Sequence, residues 1–262
     1  MPRALITLTT DFGSSDHFTG VMKGVIRRIA PGADVIDITH EIPPFEIAEG
    51  AFVVSQTYRY FPRKTIHVVV VDPGVGTARR PILVEAAGQY FLGPDNGVLS
   101  MVYGREKSKV RLVSNAKLFL EPVSQTFHGR DIFAPVAAQL AKGLAPARVG
   151  KLIGDYLRTS FERPVQTSKR TWTGAVLKVD RFGNLITNLH ADELPQIRVR
   201  PIDVAIGATR IYTLARTYAE GGFGEPVAII GSSGYLEICV NQDSAARRLG
   251  CSTGAPVEIT IL

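Results

Sequence analysis

An apolar run ends in a carboxylate: residues 66–85 read IHVVVVDPGVGTARRPILVE, with Asp72 after four valines, then Gly74-Val75-Gly76 and Arg79-Arg80. An acid, a glycine loop and paired arginines at a strand end suit three chemistries: dinucleotide binding, metal binding, or activation of water. The dinucleotide reading fails twice. Arg79 stands where the fingerprint needs its third glycine, and the loop runs through Pro81 into another strand instead of opening a helix. Without a helix N-terminus there is no row of free N–H groups to hold a pyrophosphate. The plain alternative is a tight turn in which Asp72 caps the loop and the arginines face solvent.

Three other loops bear on the choice. Thr9-Thr10-Asp11-Phe12-Gly13 follows the first apolar run, with Asp16 and His17 close behind. In a parallel sheet the loops at the carboxyl ends of strands share one rim, where ligands bind. Asp11, Asp16 and Asp72 are therefore expected on that rim, and a carboxylate there suits a ribose diol; helix capping is the other reading of Asp11. Thr126-Phe127-His128-Gly129-Arg130-Asp131 precedes a helix, and Gly129 permits close approach to a ligand. Asp180-Arg181-Phe182-Gly183-Asn184 reads by itself as a hairpin turn. No His-x-His, Cys-x-x-Cys or His-Glu-x-x-His spacing occurs, which leaves a metal only scattered candidates, and there is no Gly-x-Ser-x-Gly elbow.

The elements that must position these residues follow from periodicity. Strands are expected at 4–9, 34–39 and 66–71, and helices from Phe18 to Ala30 and from Pro43-Pro44 onward, with Ile47, Ala51, Val54 and Tyr58 on one face. That alternation is the pattern of an α/β layer with a parallel sheet. Strands at 82–86 and 90–93, a Pro94-Asp95-Asn96-Gly97 turn and a helix over 131–142 follow. Beyond Arg170 come short strands at 174–180, 184–189, 202–206, 227–231, 235–240 and 256–261, separated by glycine turns. Two domains are expected, 1–170 and 171–262. The chain has 262 residues, 45% hydrophobic and 21% charged, which is ordinary for a globular protein. No run approaches the roughly 18–20 apolar residues of a membrane span, and the stretch from Met1 to Leu8 does not read as a secretory signal. Cys239 and Cys251 make no disulfide framework, so a cytoplasmic location is expected. The net charge of +6 is dispersed, and pairs such as Arg27-Arg28 and Arg247-Arg248 read as solvated helix faces rather than a nucleic-acid track.

Taken in order, TTDFG, DPGVGTARR, FHGRD, DRFGNLITN and GSSGYLEICVNQDSAARRLG resemble the S-adenosyl-L-methionine hydroxide adenosyltransferase family. These are adenosine-forming hydrolases related to fluorinating and chlorinating enzymes. The resemblance runs from Thr9 to about Gly250 and implies an N-terminal Rossmann-like α/β layer domain and a C-terminal small β-barrel-like domain. It also implies a homotrimer with sites at subunit interfaces, acting on a small-molecule substrate without metal or cofactor. Water attacks C5′ of the adenosyl group, and Asp72, Arg79 and His128 match the residues tied to its activation. Which of Asp72 and His128 takes the proton stays open, as does whether Arg79 only positions Asp72. Asp11 matches the ribose-binding carboxylate, Asp16 and Ser232 the methionine end, and Phe45 an aromatic packed on the substrate. Phe182, Asn184 and Asn241 match loops holding adenine or methionine. Ser233 departs from the basic residue that halogenases carry after this serine, whereas Asp72 and His128 favour hydroxide over halide. Halide transfer and non-catalytic binding of the same ligand are the rival readings.

Overall fold

The computed structural model describes residues 3–159 and 163–262, and its contacts separate two units, Met1–Thr159 and Ser160–Leu262. Met1 and Pro2 of the N-terminal stretch lie outside the described residues. In the first unit β1 (Leu5–Thr10), α1 (Phe18–Ile29), β2 (Asp34–Thr39), α2 (Ile47–Thr57) and β3 (Ile66–Val70) alternate as expected. β1 pairs in parallel with both β2 and β3. The antiparallel hairpin of β4 (Pro81–Ala86) and β5 (Gln89–Pro94) and a further strand, β6 (Ser108–Leu112), extend the sheet to the order β2-β1-β3-β5-β4-β6. β6 has no clear alternation in its SKVRL sequence, and it forms because β4 offers it an open edge.

Every residue of β3 is buried because both faces of the sheet are covered. On one side Val68 and Val70 pack with Met22 and Ile26 of α1 and with Phe133 and Val136. On the other, Val69 and Val71 pack with Val54, Tyr58 and Phe91. Arg27 and Arg28 are exposed in the last turn of α1, where cations complement the helix dipole. α2 starts at Ile47 and not at Pro43-Pro44 as expected: Glu46 N–H closes a turn on the Pro43 carbonyl at 3.1 Å, and Phe45 has φ 72°, which no α-helix accepts. After a short α3 (Ser100–Tyr103), Gly129–Phe133 forms a π-helical turn that runs into α4 (Ala134–Ala141).

The second unit holds β7 (Val165–Gln166), β8 (Thr171–Val179), β9 (Leu185–His190), β10 (Ile202–Ile206), β11 (Thr209–Ile211), β12 (Leu214–Ala215), β13 (Pro226–Ile230), β14 (Tyr235–Val240), a short α5 (Ala245–Leu249) and β15 (Pro256–Ile261). β7 pairs with β8 and so belongs to this unit. The order β11-β10-β15-β8-β9-β14-β13-β12 curls as a half-barrel around Trp172, Leu185, Leu189, Leu236, Ile238 and Ile259. The chain is thus an α/β layer joined to a β-barrel-like unit. No helix among the described residues is long and apolar enough to cross a membrane.

His67 is buried in β3 between Thr7 Oγ1 at 2.7 Å and Gln89 Oε1 at 3.2 Å, stacked on Phe91. Burial pushes its pKa down to about 4. The unfolded imidazole takes up a proton at a pH where the folded one does not, so folding stability is intact above the ordinary histidine pKa and declines as pH falls toward 4. Between about pH 7.5 and 4.5 the wild type is expected to lose roughly 2–3 kcal/mol more than His67→Gln, read from urea midpoints. Parallel declines would show that His67 does not titrate in this way.

Candidate active site

Asp72 leaves the carboxyl end of β3, and Arg79 reaches back to it. Their side chains are 5% and 8% exposed. Arg79 Nε donates to Asp72 Oδ1 at 2.9 Å, and Nη2 donates to Oδ2, a bidentate fork. The same Nη2 donates to His128 Nδ1 at 2.6 Å. A guanidinium can only donate, so Nδ1 accepts and the imidazole proton sits on Nε2. Burial, and then the Arg79 charge, hold the His128 pKa below its ordinary value. Arg79 Nη1 is buried with no hydrogen-bond partner among the described residues. The three expected water-activating residues therefore form one cluster with a donor to spare.

Two loops make this cluster. Gly76 has φ 77°, and a Cβ there would fall 2.2 Å from the Gln125 carbonyl oxygen, so only glycine lets the 73–79 loop lie on the chain before His128. Buried Asp131 ties down that second chain, accepting from Ser124 N–H at 2.9 Å and from Arg130 Nε at 2.6 Å. Asn96 donates to the Val71 carbonyl at 2.8 Å and accepts from Val98 N–H, pinning the backbone just before Asp72. Sequence reading passed over Asn96 and Asp131 as site-building residues. Asn96 had a usable signal, since it follows β5, the parallel neighbour of β3, on the same rim.

Asp11 leaves β1 beside this cluster. Its Oδ2 accepts from Phe45 N–H at 3.0 Å, which holds the φ 72° conformation of Phe45, a strain of order 1–3 kcal/mol. Burial raises the Asp11 pKa, the Phe45 bond opposes this, and the nearby Asp72 charge adds to it. Phe45 itself is 70% exposed. The Asp11 loop is braced by Thr10 Oγ1 against His40 Nδ1 at 2.9 Å and by Gly13 N–H on the His40 carbonyl at 2.7 Å. Asp16 is exposed before α1, and no hydrogen bond among the described residues draws it to Asp11 or Asp72.

In the second unit Asp180 accepts from Phe182 N–H at 2.9 Å, from Asn184 N–H at 2.8 Å and from Asn184 Nδ2 at 2.9 Å. This turn buries Asn184 and leaves Phe182 78% exposed. Asn241 Nδ2 donates to the Gly221 carbonyl at 3.2 Å. Ser232 is exposed in the tight 231–234 turn joining β13 to β14. Leu185 faces Ile238 in register, so Phe182, Asn184 and Asn241 gather at one end of the β9/β14 pair and Ser232 lies at the other.

Residues 6–150 match the family model described as SAM hydroxide adenosyltransferase N-terminal domain, and residues 174–258 match its C-terminal domain. The chain belongs to the SAM hydroxide adenosyltransferase family. Within it, the (R)-S-adenosyl-L-methionine hydrolase of Salinispora arenicola is 38% identical, with 97% of each chain covered. A fluorinase of Actinoplanes sp. is 28% identical over 98% of this chain and 97% of its own. The crystal structure of an uncharacterized conserved protein from Thermotoga maritima superposes with a TM-score of 0.91 at 38% identity, covering 97% of this chain and 99% of that one. The N-terminal family match contains Asp11, Asp72, Arg79 and His128, and the C-terminal match contains Phe182, Asn184, Ser232 and Asn241.

Gly76→Ala is expected to lower unfolding free energy by roughly 2 kcal/mol. It should also raise the His128 pKa toward the ordinary imidazole value as Arg79 withdraws. Urea denaturation and the NMR titration of the His128 ring check the pair, and a His128 titration left unchanged would refute the loop-packing argument.

Proposed function

We propose that the protein hydrolyses S-adenosyl-L-methionine to adenosine and L-methionine, with water attacking C5′ of the adenosyl group. The observation that carries this is the buried Asp72–Arg79–His128 cluster with Arg79 Nη1 unpartnered. A water oxygen beside that guanidinium satisfies the spare donor, and the cation stabilises hydroxide character as the proton leaves. Arg79 occupies the His128 Nδ1 lone pair, and Nε2 already carries a proton, so neutral His128 is a donor and Asp72 is the group left to accept. The water proton passes to Asp72, the new C5′–O bond forms as the C5′–S bond breaks, and the electron pair returns to sulfur as the neutral thioether of methionine. Fixing water opposite that bond supplies up to roughly 7–11 kcal/mol in ideal geometry, and proton removal about 10²- to 10⁴-fold. The sulfonium is its own leaving group, so the step requires no metal or cofactor.

Asp11 is assigned to the ribose hydroxyls, because one of its oxygens is held by Phe45 N–H and the carboxylate can still accept from a diol. Phe45 is assigned to the substrate's apolar surface. Asp16 and Ser232 are assigned to the methionine end, with Phe182, Asn184 and Asn241 on the adenine or methionine portion. The hydrolase names of the relatives at 34–38% identity support the reaction, and their (R) designation supports the off-pathway sulfonium epimer as the substrate. A homotrimer with sites at subunit interfaces belongs to the same reading, supported by the exposed aromatic rings of Phe45 and Phe182. A cytoplasmic location is supported by two free cysteines.

Purified protein with either sulfonium epimer, and with chelator present, is expected to release adenosine and methionine in equal amounts, faster from the R epimer. Intact substrate after hours, or a 5′-halogenated nucleoside when chloride or fluoride is added, would overturn hydrolysis. Asp72→Asn should lower kcat by about 10²-fold or more with little change in KM, whereas Asp11→Ala should chiefly raise KM. The cluster also sets a pH profile. Protonating His128 destroys its bond from Arg79, so kcat/KM should hold level to below the ordinary histidine pKa and then fall. An acid limb at or above that value would show that Arg79 does not act on His128.

A further inference from the structure

Arg79 and Arg80 are neighbours in the chain and could grip a carboxylate equally well, yet only Arg79 reaches Asp72. The register of the β4–β5 hairpin is what separates them. In β4, Ile82 and Val84 pack on the α2 side of the sheet, and Leu83 packs on the α1 side. Strand alternation carried back into the loop puts Arg80 on the α2 side and Arg79 on the α1 side. By the same alternation Asp72 follows Val68 and Val70 onto the α1 side, and Asp95 follows Phe91 onto the α2 side. Arg79 therefore meets Asp72 on one face, its guanidinium carbon 5.7 Å from the centre of the Phe133 ring, and Arg80 meets Asp95 on the other.

The hairpin cannot hold that register at its end by backbone alone. Its last pair sets Pro81 opposite Pro94, and neither proline has an N–H to donate. One pair further out, Asp95 N–H donates to the Arg80 carbonyl at 2.8 Å. Arg80 Nε and Nη2 in turn donate to Asp95 Oδ2 at 3.1 and 2.7 Å. The Asp95 side chain is 5% exposed, and its Oδ1 accepts from Leu157 N–H at 2.8 Å. Arg80 Nη1 donates to both oxygens of Asp155, at 3.0 and 2.9 Å, so every nitrogen of this guanidinium is engaged away from Asp72. A slip of one residue turns every side chain of a strand to the other face. Here it would bring Arg80 to Asp72 and leave Asp95 buried without its cation. We propose that Arg80 and Asp95 are positioning residues that select Arg79 for the site. Their cross-strand pair fixes the end of the hairpin, so that Arg79 and not Arg80 bridges Asp72 and His128. The consequence for turnover rests on the hydrolytic reading above; the bridging does not.

Asp95→Asn in the full-length protein tests this. An amide has one oxygen where Asp95 uses two, so either Arg80 or the Leu157 N–H is left facing a donor. NMR titration should show the His128 pKa rising toward the ordinary imidazole value as Arg79 leaves Nδ1. For S-adenosylmethionine, kcat should fall roughly 10- to 100-fold with KM changed by no more than about twofold, the mark of a misplaced group at the reacting centre. A lower urea midpoint with an unmoved His128 titration would show a merely structural pair and overturn the inference. An unchanged kcat in a protein that turns over would overturn it too. If Asp95→Asn does not fold, Arg80→Lys replaces it, keeping a cation beside Asp95 without the two-nitrogen grip. The same movement of His128 is expected there, and its absence overturns the selection. A wild type that leaves S-adenosylmethionine intact would sink hydrolysis, and the His128 titration would still decide whether Asp95 keeps Arg79 in place.

Discussion

The Arg79 guanidinium is the constraint on which the candidate site depends. One planar cation holds both oxygens of Asp72, donates to His128 and keeps a further donor buried. Removing either partner of a buried pair like this leaves an uncompensated charge, at a cost of order 3–5 kcal/mol. The pair therefore survives only while the surrounding backbone keeps it dry and aligned. A lysine could supply the charge, but not the fork that fixes Asp72 while reaching His128.

That requirement explains features that would otherwise look incidental. Gly76 lets two loops touch through their backbones, Asp131 gathers the second of them, and Asn96 anchors the carbonyl before Asp72. The parallel strands β1 and β3 deliver Asp11 and Asp72 to one rim, close enough for the Asp72 charge to act on Asp11. Phe45 bears backbone strain where its N–H meets Asp11, so conformational energy is stored at the group assigned to the substrate. In the second unit, Asp180 organises the turn that buries Asn184 and presents Phe182.

Much of the fold was legible because the first unit has clean periodicities. The valines of β3 announced a strand covered on both faces, and the stretch from Phe18 to Ala30 showed the helical periodicity of α1. Legibility failed where neighbours decide. β6 exists through its pairing with β4, and α2 waits until Ile47 because the Asp11 contact holds Phe45 out of the helical region. The helix expected over 131–142 is preceded and entered by a π-helical turn at Gly129–Phe133, which the apolar periodicity of the segment does not signal.

By itself the sequence determined the candidate chemistry: a carboxylate at a strand end, an arginine in place of a glycine, a histidine before a helix, and the absence of a phosphate-binding helix N-terminus after β3. These follow from residue type and from spacing along the chain, which a linear reading contains. Only the tertiary structure decided that Arg79 spans Asp72 and His128, that the His128 proton sits on Nε2, and that Arg79 Nη1 is buried without a partner among the described residues. The reason is physical. Hydrogen-bond geometry and burial depend on which distant segments come to lie against each other, and His128 is 49 positions from the arginine that sets its proton.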